Sequence, residues 1–400
     1  MAEMKKSLLA MAALSVFSGV TSAQSSITIY GVVDIGYFNE KAKSAGNNAS
    51  SQANASAIIY SAQQISRLGF KGTEDLGGGL VAFFTAETDL QPANSSLSTW
   101  QTRQAFAGLG KSGIGQLAFG TQYTPIFNQL SATDVGNTNN MPGSAVFPVY
   151  SIYSSSLSSD NTYYSGNVGV GDVSDAFTVR TQSALTFQSA NLNGFKVAGL
   201  YTLRNDTTKG NSKYAPVPIS NNYNGWGLSA DYTWKNLYIG IAYQALKSAN
   251  LGYGCDVPGE CASTAYTPQA KGWVETNGGV NTQDNQYYGG LTYNFDKFRL
   301  YLQYVNRKAT NILGTQYYSS RSAQQIGVRS FLTTVIEGWA NIGYGKYTNY
   351  AKVYGAASFT AWQLGLNYYL SKRTNLYTIY GSENESTSAN AFAAGVRMTF

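Results

Sequence analysis

Apolar and polar side chains alternate along most of this chain, and the alternation folds back on itself. Leu228, Ala230, Tyr232 and Trp234 fall on one parity, Lys235 and Asn236 interrupt, and Leu237, Ile239, Ile241 and Tyr243 resume the same face. A period of two is the signature of a strand, so this segment predicts a β-hairpin with a tight turn. Segments 290–304 and 365–382 repeat the pattern, and AFAAGVRMTF over 391–400 sets Phe392, Ala394, Val396, Met398 and Phe400 against Ala393, Gly395, Arg397 and Thr399. Each arm is near the roughly 9–11 residues that cross a bilayer as a tilted strand. The outward rows carry Leu, Phe, Tyr and Trp, which suit lipid, whereas a secreted β-sandwich would expose polar residues there. Strands in lipid must leave no edge unpaired, so the pattern predicts a closed barrel.

Sixteen arms can be placed, from 27–37 and 63–73 through to 375–382 and 391–400. The fold class expected is all-β, a sixteen-stranded antiparallel transmembrane β-barrel. Segment 324–354 is the least regular, since Leu332 to Val335 makes a poor turn. Long polar stretches at 41–56, 123–175, 204–224, 247–286 and 306–323 alternate with short turns. Such asymmetry puts the long loops outside the cell and the short turns in the periplasm.

Composition fits. Only 12% of residues are charged, yet mean hydropathy is −0.20, because the polarity resides in Ser, Thr, Asn, Gln and 31 Tyr. The net charge of +6 is too dilute for a nucleic-acid surface. There is no histidine, which removes serine–histidine catalysis and most zinc sites, so neither an enzyme nor a metal or cofactor is expected. Lys5 and Lys6 precede an apolar run, Leu8 to Val20, too short for the roughly 20 residues of a spanning helix. Thr21, Ser22 and Ala23 follow, so 1–23 reads as a secretory signal peptide and 24–400 as one barrel domain. The first strand starts within a few residues of the cleavage site, leaving no room for a transporter's plug domain. Cys255 and Cys261 share a Gly- and Pro-containing external loop, which in an oxidising compartment predicts an intraloop disulfide.

Several segments carry a family likeness: SSITIYGVVDIGY at 25–37, SRLGFKGTEDLGGGL at 66–80, RQAFAGL at 103–109, YTP at 123–125, YYLSKRTNLY at 368–377, and Phe400. In this order they resemble the general diffusion porins of β-proteobacteria. That resemblance implies a homotrimer in the outer membrane, in contact with its lipids and lipopolysaccharide, that passes small hydrophilic solutes and inorganic ions. It also implies a third extracellular loop, here 123–175, folded into the barrel to form a constriction. By motif, Arg67, Arg103 and Arg180 fall on the facing wall and Glu87 on an acidic wall position, with Asp134 as a loop carboxylate. Phase agrees, because the apolar neighbours of each arginine have the opposite parity; Asp34 and Lys71 also point inward. Where the family has GRQYTP this chain has Thr121 in GTQYTP, so only a moderate anion preference is expected. Phe400 resembles the terminal aromatic read by the outer-membrane assembly machinery. An adhesin, or a structural barrel without significant transport, remains the alternative.

Overall fold

The computed structural model describes residues 26–44, 52–94, 97–98, 100–148, 177–208, 219–250, 282–311, 318–349, 356–384 and 387–400. The segment 1–23 expected to be a signal peptide, both cysteines and segment 149–176 lie outside them. The strands are β1 (Ser26–Ser44), β2 (Gln52–Tyr60), β3 (Arg67–Gly77), β4 (Leu80–Asp89), β5 (Thr102–Lys111) and β6 (Gly115–Tyr123). A helix, α1 (Pro125–Thr133), precedes β7 (Arg180–Ser189), β8 (Phe195–Thr208), β9 (Ile219–Trp234), β10 (Leu237–Asn250) and β11 (Thr282–Asn294). The rest are β12 (Arg299–Asn311), β13 (Tyr318–Phe331), β14 (Ile336–Asn349), β15 (Ala356–Tyr369), β16 (Thr374–Asn384) and β17 (Thr387–Thr399).

Consecutive strands from β3 to β17 pair antiparallel with their neighbours, and β17 returns to β1 along Val32–Ser44, closing the barrel. The other edge of β1 is shared: Ser26–Val32 pairs with β3 and Ile35–Lys43 with β2. Seventeen strands therefore form sixteen staves, the second of them broken between Tyr60 and Arg67. Ser61 turns the chain there with φ of +68°. Asp34 holds the break, its Oδ2 accepting the N–H groups of Gln63 and Gln64 at 2.7 Å each and its Oδ1 the Tyr377 hydroxyl at 2.6 Å. Asp34 is thus on the inner face, as its phase implies, but it is fully buried as a clamp for the wall.

The sequence reading passed over β2, where the alternation over 52–57 is only of alanine with Gln, Asn and Ser and carries no large apolar side chain. The same cause shortened other strands: β12 runs on to Asn311 and β13 starts at Tyr318, inside a stretch read as loop. Ladder hydrogen bonds continue above the lipid, whereas hydrophobic alternation is needed only where one face meets lipid. At Leu332–Val335 the turn closes through Thr333, whose hydroxyl accepts the N–H groups of Val335 and Ile336 at 3.3 and 3.0 Å.

Outward residues such as Ile27, Ile241 and Leu364 are exposed, while inward Gln244, Gln286 and Gln363 are buried beneath material inside the barrel. The seam between β1 and β17 finishes at Phe400, which exchanges both backbone hydrogen bonds with Gly31 at 3.1 and 3.2 Å and lays its ring over that glycine. A Phe400→Ala variant loses this cross-strand packing, worth up to about 1 kcal/mol. Its expected result is less folded, heat-modifiable barrel per unit of synthesis, with unchanged conductance in the channels that do insert. Wild-type insertion levels would contradict it.

Candidate pore constriction

The arginine side chains are aimed by strand phase, and irregularities near them adjust the aim. Arg67 opens β3, Arg180 opens β7 and Arg103 is the second residue of β5. The pairing shifts at Glu87/Thr88 and again at Gly120/Gln122, bulges that re-aim side chains next to a site. Arg103 Nε donates to Glu87 Oε1 at 2.8 Å, and its Nη2 donates to the Tyr123 hydroxyl at 2.8 Å. Arg67 Nε lies 3.8 Å from Glu87 Oε2, which also accepts the Tyr30 hydroxyl at 3.1 Å. The Arg180 guanidinium stands 5.8 Å from the centre of the Tyr123 ring, and Lys71 Nζ 5.4 Å from that of Tyr30.

Glu87 is thus a hub that holds Arg67 and Arg103, with Arg180 joined through Tyr123 and Lys71 through Tyr30. Of the two arginines on Glu87, Arg67 is the more open, with 20% of its side chain exposed against 7% for Arg103. Neither tyrosine is given a role at the wall by the sequence, although Tyr123 opens the YTP motif and Tyr30 has inward parity in SSITIYGVV. Gly69 lets Tyr30 lie flat, because a Cβ there would strike its ring.

Across the lumen runs the loop after β6. Thr124 caps α1, its hydroxyl accepting Phe127 N–H at 3.3 Å and donating to the Thr178 carbonyl at 2.6 Å, which ties the two ends of the loop together. Pro125 follows at the helix start, where no N–H is needed. The helix lies on β9, β10 and β11: Gln129 takes the Tyr238 hydroxyl at 2.8 Å, and the Thr133 and Tyr288 hydroxyls meet at 2.6 Å.

Beyond the helix, Gln325 Oε1 accepts Ala145 N–H at 2.9 Å. Gln363 exchanges hydrogen bonds with Asn139 at 3.0 and 3.1 Å and donates to the Met141 carbonyl at 2.8 Å. Asn140 Nδ2 reaches the Ser61 carbonyl at 2.6 Å, in the broken stave. Glycines make room for the loop: a Cβ on Gly240, Gly290, Gly343 or Gly381 would collide with Gln129, Thr133, Ala145 or the Pro142 carbonyl.

Asp134 follows this loop to the wall. Its Oδ2 accepts Thr138 N–H at 2.6 Å, and Gln325 Nε2 lies 3.5 Å from Oδ1. Burial pushes its carboxyl up from the ordinary range, opposed by the Thr138 N–H and by Arg329. It therefore sits among groups of β13 and does not join Glu87. Arg329, which the sequence reading did not single out, pairs with Glu337 at 3.1 Å and donates to the Val135 carbonyl, holding the loop from below. Elsewhere on the inner wall Arg307 pairs with Asp284 and Lys196 with Asp231, whereas Arg299 and Arg397 donate to Thr292 and Gln64.

A closed barrel that is apolar outside, lined with charges and amides inside, and narrowed by a loop bonded to its own wall is a transmembrane diffusion channel. Residues 10–388 match the family described as Gram-negative porin, and the chain belongs to that family. An outer membrane porin protein of Bordetella pertussis is 27% identical over 99% of this chain and 100% of its own. Outer membrane porin protein 32 of Delftia acidovorans is 34% identical over 33% of this chain and 36% of its own. Among solved structures, an anion-selective porin from Comamonas acidovorans superimposes with a TM-score of 0.66 at 19% identity, over 94% of this chain and all of that one. This protein is an outer-membrane channel of a Gram-negative cell, not an enzyme.

Proposed function

We propose that this porin passes small hydrophilic solutes and ions with a moderate preference for anions, selected where Arg67, Arg103, Arg180 and Lys71 face the loop after β6. The observation that carries the reading is the arrangement of charge at that wall: four cations, Arg67, Arg103, Arg180 and Lys71, gather around Glu87. Arginine suits the role because its guanidinium stays protonated beside other cations. A cationic wall raises the local concentration of anions and lowers that of cations. Asp134 offsets this little, since it is held by Thr138 of its own loop and lies against Gln325 of the opposite wall. The anion selectivity named for the Comamonas porin supports the sign.

The working unit in this reading is a homotrimer, seated among outer-membrane lipids and lipopolysaccharide and inserted by the outer-membrane assembly machinery. Removal of 1–23 on export and a Cys255–Cys261 disulfide in an external loop complete it. The test is planar-bilayer recording of the purified protein in a KCl gradient. Three equal closing steps and an anion-signed reversal potential are expected; a cation-signed potential would refute the selectivity, and silence would restore the adhesin reading.

A further inference from the structure

Three strands on one side of the barrel present the same outward order, read down from the long-loop end. β10 carries Lys247, Tyr243, Ile241 and Ile239; β12 carries Lys308, Tyr304 and Leu302; β14 carries Lys346, Tyr344 and Ile342. All three lysines are exposed. The strands between them supply polar neighbours at the lysine level: register places Lys308 opposite Asn285 and Ser320, and Lys346 opposite Ser322 and Ser358. Lys308 Nζ lies 4.6 Å from the centre of the Tyr318 ring, so this amine is already poised on the outer face.

Below the lysines the aromatic rings mark the membrane interface. Trp226, Tyr243 and Tyr287 pack side by side as tilted pairs with centroid spacings of 5.1 and 4.7 Å. Lower still is a groove of about 710 Å³, walled by Ile239, Ile241, Leu302, Ile326 and Ile342. Its floor dips at Gly289, where a Cβ would meet nothing within 4 Å.

We propose that this face is a docking site for one phosphorylated glycolipid of the outer leaflet, with acyl chain in the groove and phosphates on Lys247, Lys308 and Lys346. The inference rests on the outer-membrane reading and adds the residues that would hold the lipid. Cation, amide, aromatic and aliphatic groups are layered in the order in which such a lipid presents phosphate, sugar, interface and chain. Lysine stems can run along the apolar wall and deliver the amine to the headgroup level.

Charge also argues against a second copy of this chain as the occupant. Glu40, Asp284 and Glu383, at the long-loop end, are buried on the inner face, whereas the exposed carboxylates Glu74, Asp75 and Asp296 are at the short-turn end. Asp89, also at the long-loop end, is half-buried and accepts from Ser98 and the Gln101 N–H, so among the described side chains a neighbouring barrel offers these lysines no exposed carboxylate at their own height.

The experiment titrates the purified protein in detergent with a rough lipopolysaccharide and with the same material after enzymatic dephosphorylation, reading bound lipid by native mass spectrometry. Lys247→Gln, Lys308→Gln and Lys346→Gln together should weaken binding by about tenfold or more, given the usual worth of each lysine near an anionic surface. The matching triple arginine variant should stay within about twofold of wild type, since its charge is kept. Dephosphorylation should weaken wild-type binding as the glutamines do. Undiminished binding by the glutamine variant, equal loss in the arginine variant, or tight binding of the dephosphorylated lipid would each overturn the proposal. So would a change of oligomer size in the glutamine variant, which would assign the face to another subunit. Conductance and reversal potential should be the same in all three proteins, so loss of the lipid site leaves the channel reading standing.

Discussion

Replacing Arg103 with glutamine should lower the anion-to-cation permeability ratio about threefold in 0.1 M KCl. A unit charge about 7 Å from a passing ion in water-like dielectric is worth about 0.6 kcal/mol, or one RT. A Debye length of about 10 Å halves this, and because anion and cation are shifted oppositely, the ratio changes by about e. Removing Arg67, Arg103 and Arg180 together should abolish the preference, leaving Lys71 against the carboxylates Glu87 and Asp89. At 1 M salt the Debye length shrinks to about 3 Å, and the effect of Arg103 should fall to about 1.2-fold. Reversal potentials of wild type and variants, measured across the salt series, check all three values. A potential unmoved by the triple change would mean that these arginines are not the filter. Arg103→Gln also frees the Tyr123 hydroxyl and leaves Glu87 with Arg67 and Tyr30, so Arg103→Lys is the control that keeps charge while losing the two-point contact.

The second large effect concerns the seat of the constriction loop. Gly290→Val with Gly343→Val puts side chains where Thr133 and Ala145 now touch the wall. Close-packed material cannot absorb that volume, so the loop should move off β11 and β14 toward the arginine wall, with single-channel conductance falling on the order of a third. The sign is what matters. A loop that merely loosened would raise conductance or make it noisy, and unchanged conductance would mean that the glycines do not set its position. Anion preference should rise in the same variant, since the ion path is pressed closer to Arg67.

Much of this was legible in the sequence because lipid enforces a simple rule. Wherever one face of a strand meets hydrocarbon, residues such as Leu228, Ile241 and Phe392 declare the parity, and the inward positions of Arg67, Arg103, Arg180 and Glu87 follow from it. Where the rule lapses, so does the reading. The upper parts of β1, β12 and β13 and the start of β2 carry small or polar residues on both faces, and there backbone pairing keeps them as strands. Asp134 shows a different limit. A carboxylate in a loop that enters the pore might face either wall, and it is settled by Thr138 and Gln325, positions that no periodicity brings together. Tyr30 had the right parity, but its reach to Glu87 depends on the space above Gly69 in a neighbouring strand.

The break in the second stave bears on the order in which the molecule is built. Asn140 is tied to Ser61 on one side, while Asn139 and Met141 are tied to Gln363 in β15 and Asp34 is bonded to Tyr377 in β16. The attachments of residues 139–141 therefore come from both ends of the chain, which become neighbours only when β17 meets β1. Contacts between such distant segments are slow to form because a long loop must first be closed. The anchorage of Asn139, Asn140 and Met141 is therefore complete only once the seam has closed, whereas the seat of α1 on β9–β11 needs no seam at all.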